Sequence, residues 1–315
     1  MYDKIKIYAD RSVVGGGLLG IANYLSDGKE VADIATGETG VVGHADGMRV
    51  SVGVGGVHIV GSLPKFLYGS NVWAIDRNDT KDAISKLEDT LHIPLQDAKV
   101  TGLEFAQTFL MDREVVEYLP RLGTMPRMQR IQATQQSLYY RGNGKHSPKV
   151  LSFYDKEAEA KATGQDISTW VHEYGRGLLR YEMRLNGRLP HQLKEAEVCM
   201  SMLAQDGFYA KMVELYKQNY FSIVKQNNME TIVTSEIKKV SDAWDVWVAR
   251  MMQQADTAQA DEFMAELRRA NVFKNKSDYT RLRKKMDSVI KKANVCVSDK
   301  LVIELDRNVE QCHLL

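Results

Sequence analysis

The distribution of glycine and proline along the chain constrains its fold more than any other feature. From His191 to Ala293 there is no proline and only one glycine, Gly207, and helix-forming residues dominate. The first 190 residues instead contain glycine-rich turns and short alternating apolar segments. The sequence therefore predicts an α+β fold, with a mixed front part of about 190 residues followed by a mainly helical back part.

Local patterns predict individual elements. Two strands joined by a hairpin turn are expected over residues 48–61, because Gly55 and Gly56 lie between two alternating runs. Residues 79–92 have helical apolar spacing, and residues 113–122 form a short helix limited by Pro120. Further strands are predicted at 4–10, 100–110, 137–141, 149–155, 178–185 and 299–306, and residues 11–47 give no clear pattern.

Four of these strands carry a chemically versatile side chain on their polar face. Side chains alternate between the two faces of a strand, so His58, Glu104, Tyr154 and Glu182 each lie opposite apolar neighbours. If the four strands are neighbours in one sheet, these side chains converge.

Such a group would have a definite chemistry. Two carboxylates and an imidazole suit Mg²⁺ or Mn²⁺, so His58, Glu104 and Glu182 are the candidate metal ligands. A tyrosine beside a metal can attack a phosphodiester, and Lys156 lies on the same face as Tyr154. Taken singly, each residue also has an ordinary interpretation: His58 at the surface, Tyr154 in packing, Glu182 paired with Arg180 or Arg184.

Charge is balanced overall but uneven locally. With 42 basic and 41 acidic residues the net charge is +1, which excludes a protein that is basic over its whole surface. Between Tyr118 and Tyr154, however, there is no acidic residue. Basic side chains interleaved with aromatic ones are typical of single-stranded nucleic-acid binding, and a solvated surface is the alternative. The candidates in this stretch are Arg127, Arg130, Tyr139, Tyr140, Arg141, Lys145 and Lys149.

A second basic stretch lies in the helical part. Residues 268–292 contain ten basic and two acidic residues, and the spacing of helices at 261–270 and 277–293 suits a helix–turn–helix on duplex DNA. An ordinary basic surface helix is the alternative. The candidate contacts are Arg281, Arg283, Lys284 and Lys285.

The sequence also favours a cellular compartment. No apolar run approaches the length of a membrane span, and the N-terminus has no apolar core of a signal peptide. The three cysteines are far apart and odd in number, which suggests no disulfide framework. These features favour a reducing cytoplasm.

Four segments resemble a known family. Residues 57–73, 100–122, 137–160 and 177–185 are similar, in order and spacing, to the replication initiators of filamentous phages of the gene II type and to rolling-circle plasmid Rep proteins. The most specific piece is the pattern S-x-x-K-x-L-x-G-x-N-V, which begins at Ser62 and includes Asn71. The His-hydrophobic-His motif common in rolling-circle initiators is absent.

The resemblance implies a fold and an activity. It implies a catalytic antiparallel sheet core with flanking helices over residues 1–190, and a helical DNA-binding or oligomerisation region over residues 191–315. By position, Tyr154 corresponds to the nucleophile, which forms a 5′-phosphotyrosyl bond and leaves a 3′-hydroxyl primer, and Lys156 to the basic residue after it. Glu104 and Glu182 correspond to the family's acidic residues, whereas His58 stands where an acid is expected.

The same resemblance implies partners. These are single-stranded and double-stranded origin DNA, a host helicase and DNA polymerase in the bacterial cytoplasm, and a homodimeric copy of the chain. A separate helicase is expected because no G-x-x-x-x-G-K-[ST] motif is present. The alternatives are a plasmid mobilisation relaxase with the same chemistry and a DNA-binding regulator that does not cut.

Overall fold

The computed structural model describes residues 1–15, 18, 20–32, 37–142, 147–167, 177–226, 237–254, 257–295 and 299–312. Within these residues, ten strands form one sheet in which all neighbouring strands are antiparallel. The strands are β1 (Tyr2–Asp10), β2 (Ser26–Ala32), β3 (Thr39–Ala45), β4 (Met48–Gly53), β5 (Gly56–Ser62), β6 (Lys99–Met111), β7 (Gln129–Thr134), β8 (Ser137–Arg141), β9 (Lys149–Asp155) and β10 (Gly177–Asn186). Their spatial order is β2-β3-β4-β5-β1-β6-β10-β9-β8-β7.

The described residues also form twelve α-helices. They are α1 (Arg11–Val14), α2 (Leu63–Tyr68), α3 (Arg77–Leu91), α4 (Val115–Tyr118), α5 (Lys156–Ala162), α6 (Leu189–Leu193), α7 (Met200–Leu203), α8 (Asp206–Phe221), α9 (Val240–Gln254), α10 (Thr257–Arg269), α11 (Lys276–Val295) and α12 (Lys300–Glu310). Short 3-10 helices span Gly20–Tyr24 and Leu119–Arg121. The fold is α+β, as the sequence predicts. None of the described helices combines the length and apolar character that crossing a bilayer requires.

The two faces of the sheet differ. On the apolar face, alternate residues such as Phe105 and Tyr181 are fully buried. Helix α8 packs there: the ring of Tyr216 stacks on that of Tyr181 with centroids 4.1 Å apart, and it meets Phe105 edge-on at 5.6 Å. The other face, which we call the polar face, carries Glu104, Arg180 and Glu182.

A small apolar cluster covers part of the polar face. Val72, from the segment after α2, and Ala160 of α5 pack over Leu178 at the start of β10, together with Ile167. This cluster holds the segment after α2 and helix α5 against one end of the polar face. Both elements contribute side chains to the candidate site.

The local predictions are largely confirmed. The hairpin is β4 and β5, the helix at 79–92 is α3, and the strands at 137–141 and 149–155 are β8 and β9. The strand predicted at 299–306 is wrong: these residues form most of α12, which Asp299 caps at its N-terminus. Its apolar residues satisfy the helical period as well as the strand period, because Val302, Leu305 and Val309 face the core.

Candidate active site

Three carboxylates from three neighbouring strands meet on the polar face. Asp3 lies on β1, Glu104 on β6 and Glu182 on β10, and one oxygen of each lies within 4.8 Å of one oxygen of each other residue. Asp3 and Glu182 are buried, with 4% and 2% of their surface exposed, whereas Glu104 is half-buried. We call these residues the carboxylate triad.

Asp3 reaches the polar face because β1 is irregular. Tyr2 pairs with Phe105 of β6 and Ile5 pairs with Leu103, so that two residues of β1, Asp3 and Lys4, lie opposite the single residue Glu104. Such a bulge changes the alternation of a strand and redirects a side chain. A regular strand would place Asp3 on the same face as Ile5, which is fully buried.

Two arginines from β10 neutralise part of this charge. Arg180 is buried and contacts both Asp3 and Glu182, the latter from Nε to Oε1 at 2.9 Å. Arg184 donates to Oε2 of Glu182 at 2.6 Å and lies 3.2 Å from Oε1 of Glu104. The sequence suggests these arginines only as optional partners of Glu182, whereas in the structure they connect the triad.

These contacts give Glu104 and Glu182 very different pKa values. Burial alone would raise the pKa of Glu182, but the charges of Arg180 and Arg184 outweigh it and hold that pKa at about 2. Burial and the charge of Glu182 raise the pKa of Glu104 to about 7, against the weaker pull of Arg184. Glu104 therefore holds a proton more readily than a free glutamate, because burial and the charge of Glu182 both disfavour its charged form.

Tyr154 of β9 lies directly beside the triad. Its hydroxyl donates a hydrogen bond to Oε1 of Glu182 at 2.6 Å. Burial, followed by the negative charge of Glu182, raises the pKa of Tyr154 well above the ordinary value. The structure thus brings together three residues that the sequence places on polar strand faces: Glu104, Tyr154 and Glu182.

The segment from Ser62 to Asn71 fixes Asp3. The Ser62 hydroxyl, at the N-cap of α2, donates to one oxygen of Asp3. The amide nitrogen of Asn71 donates to the other oxygen at 3.0 Å, and its amide oxygen accepts from Lys156 at 3.0 Å. Two residues of the S-x-x-K-x-L-x-G-x-N-V pattern therefore position a carboxylate that lies far from them in sequence.

Lys156 reaches the site through Asn71. Its side chain is 1% exposed, and its ammonium also forms an ion pair with Glu159 at 2.6 Å. Burial lowers the pKa of Lys156. These contacts hold Lys156 beside Asn71 at the first turn of α5, and its role in catalysis stays a prediction.

His58 does not join the triad. It lies on the polar face of β5 opposite Tyr8 of β1, and the two rings lie 4.6 Å apart. The β5 residue nearest to Asp3 is Ser62, four residues further along the strand, which is about 13 Å at 3.3 Å per residue. The prediction of His58 as a ligand beside Glu104 and Glu182 is therefore corrected to Asp3.

The basic stretch before Tyr154 is distributed over several surfaces. Tyr139 and Arg141 lie on the polar face of β8, and Arg127 is exposed in the turn before β7. Arg130 instead donates to the backbone oxygen of Leu122 at 2.7 Å, which ties β7 to the preceding loop. The predicted contact Lys145 lies outside the described residues.

Tyr140 and Lys149 point away from the polar face. Tyr140 is fully buried, and its hydroxyl donates to the backbone oxygen of Gly123 at 2.7 Å. Lys149 shares the apolar face with Leu151 and donates to Asn219 of α8 at 2.6 Å. The predicted DNA contact of Tyr140 is therefore wrong, because this side chain is fully buried, whereas that of Lys149, which is half-buried, stays a prediction.

The second basic stretch lies on helix α11. Arg281, Lys284 and Lys285 are exposed, whereas Arg283 is half-buried. Arg281 lies 3.3 Å from Asp278, and Arg283 lies 3.6 Å from Asp287. Arg281, Lys284 and Lys285 are thus the exposed candidates for a duplex contact on this helix.

The carboxylate triad has the composition of a divalent-cation site. Oxygen ligands suit Mg²⁺ and Mn²⁺, and three carboxylates against two guanidinium groups leave one formal negative charge. The raised pKa of Glu104 indicates that further positive charge would be stabilised there. The residues present therefore fit a bound divalent ion, with Asp3, Glu104 and Glu182 as its protein ligands.

Comparison with known proteins adds the family. No curated protein matches the chain. A family model that describes the N-terminal part of the phage gene II replication-associated protein matches residues 47–219. The match includes Glu104, Tyr154 and Glu182, whereas Asp3 precedes it. Because the match spans more than half of the 315 residues, the chain belongs to this family of phage replication-associated proteins.

Proposed function

We propose that this protein starts rolling-circle DNA replication by cutting one strand of an origin with Tyr154 as the nucleophile. The observation that carries the proposal is the 2.6 Å hydrogen bond between the Tyr154 hydroxyl and Glu182, one of three clustered carboxylates, in a phage replication family. Other tyrosines also donate to carboxylates, as Tyr118 does to Glu304, so the feature specific to Tyr154 is that its partner belongs to the carboxylate triad.

The proposed reaction is a phosphoryl transfer from the DNA 3′-oxygen to the Tyr154 oxygen. The Tyr154 oxygen attacks the phosphorus, the bond from phosphorus to the 3′-oxygen breaks, and a 5′-phosphotyrosyl ester and a 3′-hydroxyl form. The hydrogen bond to Glu182 orients the Tyr154 hydroxyl, which gives up its proton to the solvent as the new bond forms. The departing 3′-oxygen takes up a proton, so the number of protons on the reactants is unchanged.

Protein groups would prepare this step. Burial and the charge of Glu182 raise the pKa of Tyr154, so its hydroxyl must lose a proton during the attack. Mg²⁺ or Mn²⁺ bound by the triad would polarise the phosphoryl oxygens and offset the negative charge that develops. Arg184, which is half-buried and paired with Glu104 and Glu182, would contact the same phosphate from beside the triad.

The ester bond explains how a strand can be rejoined. The tyrosyl ester retains the energy of the broken phosphodiester, so attack by a 3′-hydroxyl reverses the cut without ATP. The 3′-hydroxyl meanwhile serves as the primer for a host DNA polymerase, and a host helicase separates the strands. Single-stranded and duplex origin DNA, a second copy of the chain and the bacterial cytoplasm complete the proposed setting.

A nicking assay tests the proposal. Wild-type protein with Mg²⁺ should convert supercoiled origin plasmid to open circles, and mass spectrometry should identify a nucleotide on the peptide that contains Tyr154. Tyr154→Phe removes one hydroxyl and should abolish both results, while Tyr139→Phe, on the next strand of the same face, should retain them. An adduct on Tyr139, or no cutting with any variant, would contradict the proposal and favour a regulator that only binds DNA.

A further inference from the structure

A row of exposed side chains continues from the carboxylate triad across the polar face, on the side away from Tyr154. Lys4, Lys6 and Tyr8 follow Asp3 along β1, His58 lies opposite Tyr8 on β5, and Arg49 lies on β4 opposite Val60 of β5. Lys6, Val60 and Arg49 occupy one lateral row, at about 4.8 Å between strands. We call these five residues, namely Lys4, Lys6, Tyr8, Arg49 and His58, the β1–β5–β4 strip.

The strip contains three cations that have no ion-pair partner among the described residues. Lys4, Lys6 and Arg49 are exposed, and among the residues that the structure describes none has an ion pair. By contrast, Lys99 of the next strand is paired with Glu197 at 2.7 Å. Space is also left for Lys6, because a side chain at Gly102 would lie 2.8 Å from its Cδ. Lys4 lies near enough to Glu104 to lower the pKa of that carboxyl, but none of the three cations forms an ion pair among the described residues, so the strip is a positively charged surface.

The strip also contains an oriented aromatic surface. The Tyr8 and His58 rings lie 4.6 Å apart at an angle of 33°. The Tyr8 hydroxyl donates to the backbone oxygen of Gly55 at 2.9 Å, which fixes the ring. His58 is exposed and stacks on the half-buried Tyr8, so it presents a flat surface beside the lysines. Cations with an exposed ring are the combination that binds phosphates and stacked bases of single strands.

We propose that the β1–β5–β4 strip binds single-stranded DNA on the 5′ side of the cut, the segment that ends in the new 3′-hydroxyl. This inference rests on the proposed nicking reaction and assigns polarity to it. It also gives His58 a role, as a surface for base stacking, that differs from metal binding.

The polarity follows from the order of the strands. In a phosphoryl transfer the attacking and leaving oxygens lie roughly in line, on opposite sides of the phosphorus. Tyr154 on β9 lies beyond one edge of the triad, next to β10, whereas β1 carries Asp3 at the opposite edge and β5 and β4 lie beyond β1. The leaving 3′-oxygen therefore points towards β1, and the nucleotides attached to it pass over Lys4 and Lys6.

Binding of a dT20 oligonucleotide in EDTA tests the strip without cutting. Lys4→Ala/Lys6→Ala should weaken binding about tenfold at low salt and flatten the slope of log affinity against log salt by up to about 1.4, at about 0.7 per phosphate contact. Lys81→Ala/Lys161→Ala, which removes two exposed lysines outside the strip, is the matched control and should bind as wild type. Equal binding by both double variants, with unchanged circular dichroism, would overturn the proposal.

His58 offers a sharper comparison. His58→Phe keeps a ring and should bind dT20 within about twofold of wild type, whereas His58→Ala should lose at least about fivefold. If His58 acts instead through its nitrogens, as a metal ligand or hydrogen-bond donor, both variants should fail equally, which would refute the stacking role.

Photo-cross-linking tests the polarity. Iodouracil placed one to three nucleotides on the 5′ side of the cut should cross-link to peptides that contain Tyr8 or His58, and iodouracil on the 3′ side should not. The opposite pattern would overturn the assigned polarity. Loss of dT20 binding in the strip variants of a protein that never cuts DNA would instead contradict the proposed function and leave the strip as a single-strand binding surface.

Discussion

The side-chain amide of Asn71 donates a hydrogen bond to Asp3 at 3.0 Å across 68 positions of sequence. Its oxygen accepts from the buried ammonium of Lys156, and its backbone oxygen accepts from Arg180 at 2.7 Å. One residue thus contacts a ligand of the proposed metal site, the cation after the proposed nucleophile and the guanidinium that connects Asp3 with Glu182. This explains why an asparagine at the end of the Ser62–Asn71 pattern matters to chemistry on β1.

Replacing Asn71 should therefore weaken the metal site before it disturbs the sheet. Asn71→Ala removes one partner each from Asp3 and Lys156, and a buried polar group that loses a partner costs about 1–3 kcal/mol. We expect the urea midpoint to fall moderately and Mn²⁺ affinity to fall severalfold, measured by calorimetry. Asn78→Ala, an exposed asparagine of α3, is the control. Unchanged Mn²⁺ affinity in Asn71→Ala would argue against its role in holding Asp3.

Thermal stability should respond to the metal through the triad and independently of His58. A ligand that binds only the folded state stabilises it by about 2.7 kcal/mol at a hundred times its dissociation constant. Mn²⁺ should raise the melting temperature of wild type and His58→Ala by the same several degrees, and that of Asp3→Asn very little. The difference with and without Mn²⁺ is the readout, because Asp3→Asn also weakens the contact with Arg180. A lost shift in His58→Ala with a retained shift in Asp3→Asn would restore the original assignment of ligands.

Glu104 should make stability depend on pH. Its pKa is raised from 4.5 to about 7, so the folded state binds this proton more tightly than the unfolded state. Its contribution to stability is therefore greatest below about pH 4.5, declines as pH rises to about 7 and is constant above that. The decline amounts to about 3.5 kcal/mol at 1.4 kcal/mol per pKa unit.

The variant Glu104→Gln isolates this effect. In EDTA, urea unfolding at pH 5 and pH 8 should show a larger loss of stability for wild type than for Glu104→Gln, while Glu157→Gln should follow wild type. Glu157 is a suitable control because it forms a surface ion pair with Lys161. The same loss in wild type and Glu104→Gln would mean that Glu104 titrates normally.

The predictable part of the site lies on regular strands. Glu104, Tyr154 and Glu182 follow from alternation, because β6, β9 and β10 pair in continuous register across the site. Asp3 does not, because the bulge beside it reverses the alternation that Ile5 and Ile7 establish. A bulge depends on the partner strand, so a single strand's sequence does not reveal it.

Other errors had a signal in the sequence. Tyr140 lies two residues from Leu138, and Lys149 lies two residues from Leu151. Because residues two apart share a face of a strand, alternation assigns both to the apolar face. The number of basic residues between Tyr118 and Tyr154 does not show which face of a strand each of them occupies. The strand predicted at 299–306 has a different explanation. Glu304 of α12 is buried because it bonds with Tyr118, 186 positions earlier, and the local sequence does not show this contact. The proposed division near residue 190 stays a prediction.

The final prediction separates two DNA-binding surfaces. Lys284 and Lys285 are exposed on α11, a different part of the chain from the β1–β5–β4 strip. Contacts with phosphates release counterions, at about 0.9 per contact on duplex DNA. Lys284→Ala/Lys285→Ala should therefore weaken binding of duplex origin DNA and flatten its salt slope by up to about 1.8. Cutting of a single-stranded origin oligonucleotide should change less than twofold.

Lys4→Ala/Lys6→Ala should show the reverse, with weaker cutting of the oligonucleotide and near-normal duplex binding. Salt titrations of duplex binding beside oligonucleotide nicking make the comparison. If each double variant lost both activities equally, the duplex and single-strand surfaces would be one site, and α11 would have no separate role in recognising the origin.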